Sequence, residues 1–390
     1  MNTPAAAIHP SVASSITPLT RLDRVIGDLR RGDWVQVQSD NQVVLIASAE
    51  NLARNTLRSL QDFSDESPKL LITGQRAKRL GFKGEAHQTV CILESQTPLS
   101  AQTITRLANP VDNTVLQDTD LEGLHIQPYT HDVPMATAVI AMLKQAGLLP
   151  AAVIAAADLT RTDPDMLAIS VADIQSGLAQ ATTGLKVVAQ AQVPLQDSEQ
   201  TEIIALRPRD GRTEHLAIVV GKPDLSKPVL IRIHSECYTG DLLGSLRCDC
   251  GHQLRGAISL MAGSGGGIVL YLAQEGRGIG LINKLRAYAL QDQGLDTVDA
   301  NLDLGFEEDE RDYQVAADML NMLNIPQVRL LTNNPNKVEA LKRFGIDVVE
   351  RVAHVFAANR HNRGYLYTKG ARSGHLFDLS LFEESQNEQE

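Results

Sequence analysis

The chain has 390 residues and a formal net charge of −11, with 43% hydrophobic and 21% charged residues, a composition typical of folded soluble proteins. This length allows two or three domains. The acidic balance excludes a general affinity for nucleic acids or anionic membranes, because phosphates and acidic headgroups bind basic surfaces. The longest apolar run, near Leu148–Ala157, is too short to span a bilayer, and the start has no leader pattern, so we expect a cytoplasmic protein.

The first half alternates helical and strand patterns after residues 1–19, which we expect to be disordered. Apolar residues at helical spacing predict a helix that begins at an N-cap, Thr20, and ends just before Gly32. Further apolar patterns predict strands at Trp34–Val37, Val43–Ala47 and Leu70–Thr73, and helices from about Glu50 and over Met135–Gln145. Such alternation is typical of a layered α/β domain, here over residues 20–190.

The second half begins after a stretch without clear periodicity that ends in a connector at Val193–Ser198. Strands are predicted at Leu216–Val220, Val229–Ile233 and Ile268–Leu272. The strand Val328–Thr332, a helix from Asn334-Pro335 to Gly345 and the strand Asp347–Arg351 predict a βαβ unit. We therefore expect an α/β (α+β) protein of two layered domains, the second over residues 191–380, with a disordered tail at 381–390.

Three of the four cysteines, Cys237, Cys248 and Cys250, form a C-x10-C-x-C pattern, which is a poor disulfide framework and a good metal site. Three thiolates leave one tetrahedral position open, as a catalytic zinc requires for water. The spacing alone leaves two other interpretations open. In the first, the cysteines are simply small buried apolar residues. In the second, they form a closed structural zinc site with His234 or His252 as the fourth ligand.

Several nearby segments carry polar side chains whose simplest interpretation is structural. Gln274–Gly280 is a glycine-spaced turn that opens a helix and can present backbone N–H groups to a phosphate, although a plain strand-to-helix turn explains it equally. In that helix we expect Leu281, Ile282, Leu285 and Leu290 to be buried, and most of the polar positions to be solvated. The acidic run Asp309–Asp312 is predicted to begin another helix, where it needs no function.

Taken together, from about Val193 to Leu376, the sequence resembles the GTP cyclohydrolase II family. The motifs that carry the resemblance, in order, are R-I-H-S-E-C, S-L-R-C-D-C-G, Q-E-G-R-G-I-G-L, N-K-L-R-A-Y-A-L-Q-D, D-E-R-D-Y and L-L-T-N-N-P. The resemblance implies zinc-dependent hydrolysis of GTP to 2,5-diamino-6-(5-phospho-ribosylamino)pyrimidin-4-one, formate and pyrophosphate, the first step of riboflavin biosynthesis. It also implies a homodimer.

The resemblance also implies roles for individual residues. Cys237, Cys248 and Cys250 would hold one zinc ion per subunit, whose hydroxide attacks C8 of the guanine ring. Asp309 would be the proton acceptor, and Tyr288 would favour the fully deformylated product. The positions that match the family's GTP-contacting residues are Arg232, Ile233, His234, Ser235, Glu236, Gln253, Glu275, Gly276, Arg277, Thr297, Thr332 and Lys337.

Arg311 matches a residue to which the family assigns nucleophilic attack on the α-phosphate. An arginine with a pKa above about 12 does not readily lose a proton, so we expect it to stabilise phosphate charge instead. Arg277 and Lys337 would join it in a cationic clamp on the triphosphate, together with Mg²⁺.

The front half is similar in layout to dihydroxybutanone phosphate synthase, which is often fused ahead of this cyclohydrolase. The acidic loop of that synthase corresponds to Ser39–Val43, and its metal-carrying H-T-E-A segment corresponds to Met135–Ala138. Neither segment keeps the carboxylates and imidazole that bind metal and move a proton. We expect this domain to lack synthase activity and to act as a scaffold, a dimerisation surface or a regulator.

The sequence leaves two other functions open. A related cyclohydrolase would open another nucleotide or base with the same zinc chemistry. A flavin-pathway regulator would bind nucleotide without turnover, although the intact cysteines, Asp309, Arg311 and Tyr288 speak against it.

Overall fold

The computed structural model describes residues 16–64, 66–87, 89–111, 123–161, 166–181 and 184–354, and a few single positions up to Leu376. Residues 1–15 and 381–390, for which disorder is expected, lie outside the described residues. Two seven-stranded sheets, one in each half of the chain, confirm the expected α/β (α+β) class. Among the described residues, no helix has the length and apolar character needed to cross a bilayer.

The front sheet has the strand order β5-β4-β3-β6-β2-β1-β7. Its strands are β1 Trp34–Gln38, β2 Val43–Ser48, β3 Lys69–Thr73, β4 Val90–Ser95, β5 Leu124–Pro128, β6 Ala151–Ala156 and β7 Ala168–Ser170. Its helices are α1 Pro18–Arg31, α2 Arg54–Asp62, α3 Gly74–Arg79, α4 Ala101–Ala108, α5 Val133–Gln145 and α6 Val171–Ala181.

Helices cover both faces of the front sheet. Successive residues of a strand point to opposite faces, so each strand contributes to two apolar cores. Ile46 and Leu71 belong to the apolar core beneath α1, α5 and α6. Their neighbours Leu45 and Leu70 belong to the core beneath α2, α3 and α4. The front domain is therefore a three-layer unit with a core on each side of its sheet.

Helix α1 begins earlier than the sequence predicted. Thr17, not Thr20, is the N-cap, and its hydroxyl accepts a hydrogen bond from the Thr20 backbone N–H at 3.2 Å. Pro18 occupies the first helical position, where its fixed φ favours the helix and its missing N–H costs nothing. Residues 18 and 19 therefore belong to the helix and not to a disordered start.

The back sheet has the strand order β14-β13-β11-β12-β10-β9-β8. Its strands are β8 Leu185–Gln192, β9 Thr201–Pro208, β10 His215–Val220, β11 Val229–Ser235, β12 Gly267–Leu272, β13 Gln327–Leu331 and β14 Asp347–Val352. Its helices are α7 Cys250–Gly263, α8 Gly280–Asp292, α9 Thr297–Asp303, α10 Gln314–Met322 and α11 Pro335–Arg343. The strands β12, β11, β13 and β14 run parallel, whereas β8, β9 and β10 are antiparallel.

Two segments of the back half differ from the sequence prediction. The stretch that lacked periodicity contains β8, which pairs with β9 and begins at Leu185, ahead of the boundary predicted between residues 190 and 191. Its strand pattern is missing because β8 is an exposed edge strand with no buried face. The run Asp309–Asp312 lies in the loop before α10, and the Asp312 carboxylate accepts a hydrogen bond from the Gln314 N–H at 2.8 Å.

Candidate active site

The candidate site lies where the parallel strands β11, β12 and β13 end. The carboxyl ends of parallel strands meet at one edge of a sheet, and open α/β sheets bind ligands there. The segments that follow these three strands contain Glu236-Cys237, Gln274–Arg277 and Thr332–Lys337. Three of the sequence motifs are therefore brought together by strand topology alone.

These segments line a cavity with about 1170 Å³ of empty space, including the part open to solvent. The cavity wall contains the three cysteines, Tyr288, Arg311 and every residue predicted to contact the nucleotide, from Arg232 to Lys337. Asp309 is not part of the wall but pairs with Arg311, which is. The predicted site residues, scattered over more than a hundred positions of sequence, thus form one site.

The three cysteines form a compact thiol cluster. The Sγ atoms of Cys237 and Cys248 are 3.7 Å apart, and all three sulfur atoms lie within 4.8 Å of one another. Gly240 leaves room beside them, since an added Cβ would lie 2.8 Å from the Cys248 sulfur and 3.0 Å from the Cys237 sulfur. Three convergent thiols around such a space fit a soft divalent cation such as zinc.

Neither histidine considered as a fourth ligand belongs to this cluster. The described part of the chain places only the three cysteines in a metal-sized group. His252 is exposed on α7. The Nε2 atom of His234 lies 3.1 Å from both carboxylate oxygens of Asp241. The cluster therefore offers three protein ligands, the number that an open catalytic zinc site uses.

Asp241 connects the cluster to its surroundings. Its carboxylate accepts hydrogen bonds from the Cys237 backbone N–H and the Tyr271 hydroxyl, both at 3.0 Å. The rings of Tyr271 and His234 stack with centroids 5.5 Å apart. Burial lowers the pKa of His234, so this imidazole tends to be neutral at pH 7. One carboxylate thus fixes both the first cysteine and its neighbouring histidine.

Lys284 brings a positive charge to the cluster from α8. Its Nζ donates to the Cys237 sulfur at 3.0 Å, to the Thr239 hydroxyl at 2.9 Å and to the Glu275 carboxylate at 2.7 Å. Burial alone would lower the pKa of Lys284, but the hydrogen bonds to Glu275 and Cys237 raise it above its usual value. Hydrogen bonds from Cys248 and Cys250, together with this ammonium group, lower the pKa of Cys237 and favour its thiolate.

Strand β11 contributes Arg232 and Ser235 to the cavity wall. Arg232 is buried, and its guanidinium donates to Gln253 and to the Leu331 carbonyl. Burial lowers the pKa of Arg232 to about 10, which leaves it charged at pH 7. The Arg232 Nε and the Ser235 hydroxyl are buried without a hydrogen-bond partner among the described residues. Such atoms are expected where a polar ligand completes the site.

Cationic side chains also line the cavity. The Arg311 Nε donates to one oxygen of Asp309 at 2.7 Å and its Nη2 donates to the other at 2.5 Å. Burial would raise the pKa of Asp309, but the Arg311 guanidinium outweighs it and keeps that pKa below its usual range. Arg277 has a φ of 62°, a left-handed conformation that is uncommon outside glycine and is enriched at active sites and ligand-binding sites.

Sequence reasoning missed part of the wall because α8 is oriented against its apolar pattern. Ile282 and Leu285, expected to be buried, are 56% and 48% exposed, whereas Asn283 and Lys284, for which a solvated position was expected, are 0% and 9% exposed. Other lining residues that were not predicted are Arg247, Asn301, Asn333 and His354. Asn333 lies inside the quoted L-L-T-N-N-P motif, which was the available signal for it, and no sequence pattern marks His354.

Comparison with known proteins places this site in a family. The sequence profile described as GTP cyclohydrolase II matches residues 186–353. A GTP cyclohydrolase-2 from Azospirillum brasilense is 47% identical over 368 residues, which cover 91% of this chain and 94% of the relative. A GTP cyclohydrolase-2 from Proteus mirabilis is 58% identical over 173 residues, covering 44% of this chain and 85% of the relative. A solved two-domain 3,4-dihydroxy-2-butanone 4-phosphate synthase from A. baumannii aligns with 86% of this chain and 100% of its own length, at 18% identity and a TM-score of 0.32. The chain belongs to the GTP cyclohydrolase II family.

Proposed function

We propose that this chain hydrolyses GTP to 2,5-diamino-6-(5-phospho-ribosylamino)pyrimidin-4-one, formate and pyrophosphate, as the first step of riboflavin biosynthesis. The observation that carries the proposal is the convergence of three thiols, buried Arg232 and cationic Arg277, Arg311 and Lys337 on one cavity. A reaction that removes one carbon from a purine and releases pyrophosphate needs activated water and charge stabilisation at the phosphates.

Cys237, Cys248 and Cys250 would hold zinc, since the thiol cluster has the donor type and spacing that this ion prefers. When bound there, zinc supplies Lewis acidity and lowers the pKa of water at its open position to about 7. Asp241 and Lys284 orient Cys237 through its backbone N–H and its sulfur, respectively. Partners of this kind fix a ligand's position and tune its charge.

Asp309 would accept a proton, and Tyr288 would donate a hydrogen bond during ring opening. The lowered pKa of Asp309 keeps its carboxylate ionised at neutral pH, as a base requires. Burial raises the pKa of Tyr288, so its hydroxyl keeps its proton. Arg311 holds both oxygens of Asp309, and the oxygen that accepts from Nη2 keeps a second lone pair that can accept the proton.

Arg277, Arg311 and Lys337 would neutralise the triphosphate together with Mg²⁺. Lys337 also donates to the Ile233 carbonyl at 2.9 Å, which fixes its ammonium group beside the end of β11. As argued from its high pKa, Arg311 stabilises phosphate charge and is not itself the nucleophile.

The front domain is proposed to lack synthase activity. Met135, Ala136 and Ala138, in the segment where the synthase would carry metal ligands, are 0%, 0% and 3% exposed and belong to the apolar core. The turn at Ser39–Gln42 is closed by the Ser39 hydroxyl, which bonds to the Gln42 backbone, and Asp40 is its only acidic residue. Neither place supports a metal site.

A homodimer is proposed from the family resemblance. Leu242, Leu243 and Leu246 are 67%, 66% and 56% exposed on the loop between the first two cysteines. Apolar residues clustered on a surface in this way are typical of protein contacts. A second copy of the chain is the simplest occupant.

The proposal is tested by incubating the purified full chain with GTP and Mg²⁺ and following formate, pyrophosphate and the pyrimidine chromophore. We expect all three from GTP and none from ATP. Formate from ATP or from a free base would indicate the related-cyclohydrolase alternative. Nucleotide binding without any formate would indicate the regulator.

A further inference from the structure

The front domain packs directly against one wall of the nucleotide cavity. This wall consists of α8, α9 and the loop 304–313, together called the flank. The flank contributes Tyr288, Thr297, Asn301 and Arg311 to the cavity. In the chain the flank lies between β12 and β13, and it contributes no strand to the back sheet. Its position must therefore depend on packing.

An apolar contact from the front domain forms part of the flank's own core. Leu149, in the loop between α5 and β6, is 0% exposed and belongs to one cluster with Ile279, Ala287, Leu290 and Phe306. Val111 of the front domain packs against the same cluster. Leu149 and Val111 of the front domain therefore complete the apolar core of the flank, and without them part of this core would be open to solvent.

Polar contacts fix the end of α9. The buried Arg76 guanidinium donates to the Asp303 carboxylate at 2.8 Å and to the Asp303 carbonyl at 3.2 Å, while its Nε donates to the Leu107 carbonyl at 2.9 Å. The Thr73 hydroxyl donates to the Gly305 carbonyl at 2.8 Å. A buried charge with a planar fork of donors permits little movement of its partners.

Further polar contacts fix α8. Glu50 accepts from Arg286 at 2.9 Å with one oxygen and from the Leu149 backbone N–H at 2.7 Å with the other. The fully buried Asn283 donates to the Gly147 carbonyl at 3.2 Å. These contacts account for the burial of Asn283 and Arg286, for which solvated positions were expected. Asn283 and Arg286 thus face the front domain, whereas Lys284 faces the thiol cluster.

A further contact from the front domain reaches the loop 304–313, which contains Asp309 and Arg311. Lys144 of α5 pairs with Glu310, and both side chains are about four-fifths buried, at 22% and 20% exposed. Glu310 stands between Asp309 and Arg311, and its backbone N–H donates to the Arg277 carbonyl at 3.0 Å. Lys144 of the front domain therefore holds Glu310, which lies between the proposed proton acceptor Asp309 and Arg311 in the chain.

We propose that the front domain is a positioning unit for the back domain: its contacts with the flank set the placement of Tyr288, Asp309 and Arg311 for reaction. The inference rests on the proposed function and adds a role for a domain without its own active site. The Proteus mirabilis relative, of which the matched 173 residues cover 85%, leaves no room for a front domain of this size, whereas the match to the Azospirillum brasilense relative covers 91% of this chain. Glu50, Arg76 and Lys144 are positioning residues and not catalytic ones.

Gly305→Ala in the full-length protein tests the proposal. The added Cβ would lie 2.9 Å from the Thr73 hydroxyl and 3.1 Å from Pro150, so the contact between the front domain and the end of α9 must shift. Gly345→Ala is the matched control, because both glycines follow a helix at positive φ, 89° and 83°, and Gly345 has nothing within 4 Å. The control therefore carries the same backbone strain without the clash.

We expect Gly305→Ala to keep its bound metal, to exchange the amide hydrogens of α8 and α9 faster, and to lose about 10- to 100-fold in kcat/KM, mainly through kcat. The metal is retained because its ligands lie at the end of β11 and the start of α7. A kcat/KM within twofold of the Gly345→Ala control, or unchanged exchange in the flank, would overturn the proposal.

A second pair decides the question if Gly305→Ala does not fold. Lys144→Met removes the cation beside Glu310, and Lys69→Met removes a front-domain lysine that pairs with Glu66 and Glu94 of its own domain. Only the first should lower kcat. Wild-type protein that releases no formate would refute the proposed function instead, and faster exchange in the flank of Lys144→Met alone would then still support the positioning role.

Discussion

Cys248 contributes one of three thiols and packs against Gly240 and Cys237, so its loss removes a third of the proposed ligand set. Cys248→Ala should release the metal and abolish formate production, because two thiolates do not make a tight zinc site. Cys91→Ala is the control, since Cys91 is a free buried cysteine in the front core and should keep both metal and activity. Metal analysis and formate release measure the outcome. Full turnover by metal-free Cys248→Ala would contradict the proposed role.

Lys284 joins the thiol cluster to Glu275 in a buried contact, with side chains 11% and 7% exposed. Lys284→Met leaves the Glu275 carboxylate without its cation, which should cost about 3 kcal/mol of unfolding free energy. It should also weaken metal binding by about 10- to 100-fold, as expected for lost ligand support. Urea unfolding and a competitive chelator titration measure the two effects.

Lys227→Met is the matched control for this prediction. Lys227 pairs with Asp224 at 2.9 Å but is 76% exposed, so its removal should cost less than about 1 kcal/mol and leave metal affinity unchanged. If the Lys284 variant behaves like this control, Lys284 does not support the cluster.

The burial of Lys284 illustrates what the sequence could not reveal. Apolar spacing predicted that Ile282 and Leu285 face the core of the protein, yet they are exposed and the polar residues between them are buried. Amphipathic patterns report burial only where the buried partner is apolar. The partners of Asn283, Lys284 and Arg286 are carbonyls, carboxylates and thiols, which a helical pattern does not encode.

At the scale of elements, the turn Tyr238–Leu242 shapes the thiol cluster. Gly240→Ala should abolish metal binding, because the new methyl group would occupy the space beside the Cys237 and Cys248 sulfurs, and overpacking there should cost about 1–3 kcal/mol of stability, although the backbone φ permits alanine. Gly263→Ala, in a helix with nothing within 4 Å of the added methyl group, should bind metal normally. Metal content and thermal unfolding of the two variants measure the difference. Equal metal content in both variants would show that this space is not used.

Strand topology explains why several of the sequence motifs come together in space. The motifs R-I-H-S-E-C, Q-E-G-R-G-I-G-L and L-L-T-N-N-P lie at or directly after the ends of three parallel strands, so they meet at one edge of the sheet. Apolar runs mark these central strands because both of their faces are buried. The edge strand β8 has neither face buried, and for that reason no pattern revealed it.

At the scale of the whole molecule, buried histidine makes stability depend on pH. The Nδ1 atom of His215 accepts a hydrogen bond from the Ala273 N–H at 3.0 Å, and burial lowers the pKa of His215 to about 4. The unfolded chain, with a histidine pKa near 6.5, binds a proton at higher pH than the folded chain does. The stabilising contribution of neutral His215 is therefore fully present above about pH 6.5 and is lost as the pH falls towards 4.

His215→Gln removes this titration and keeps an acceptor for the Ala273 N–H. We expect the difference in unfolding free energy between pH 7 and pH 5 to be smaller in the variant by about 2 kcal/mol. Urea titrations at the two pH values measure it. An identical pH dependence in both proteins would show that His215 is not held neutral by the fold.

The arrangement of the two halves could not be read from the sequence. Arg76, Glu50 and Lys144 lie far along the chain from Asp303, Arg286 and Glu310, and no spacing pattern connects them. From the sequence we expected the front domain to be a scaffold, a dimerisation surface or a regulator, without a way to choose among them. The contacts of these three residues with the flank favour the first, as the proposed positioning role states.

The most direct test of the central claim is a zinc titration of the metal-stripped full chain, with formate release from GTP as the measured quantity. We predict no release without metal and a linear rise that ends at one zinc ion per chain. Full formate release from the stripped protein, or a rise that needs no intact Cys237, Cys248 and Cys250, would contradict the claim that these thiols hold the catalytic metal.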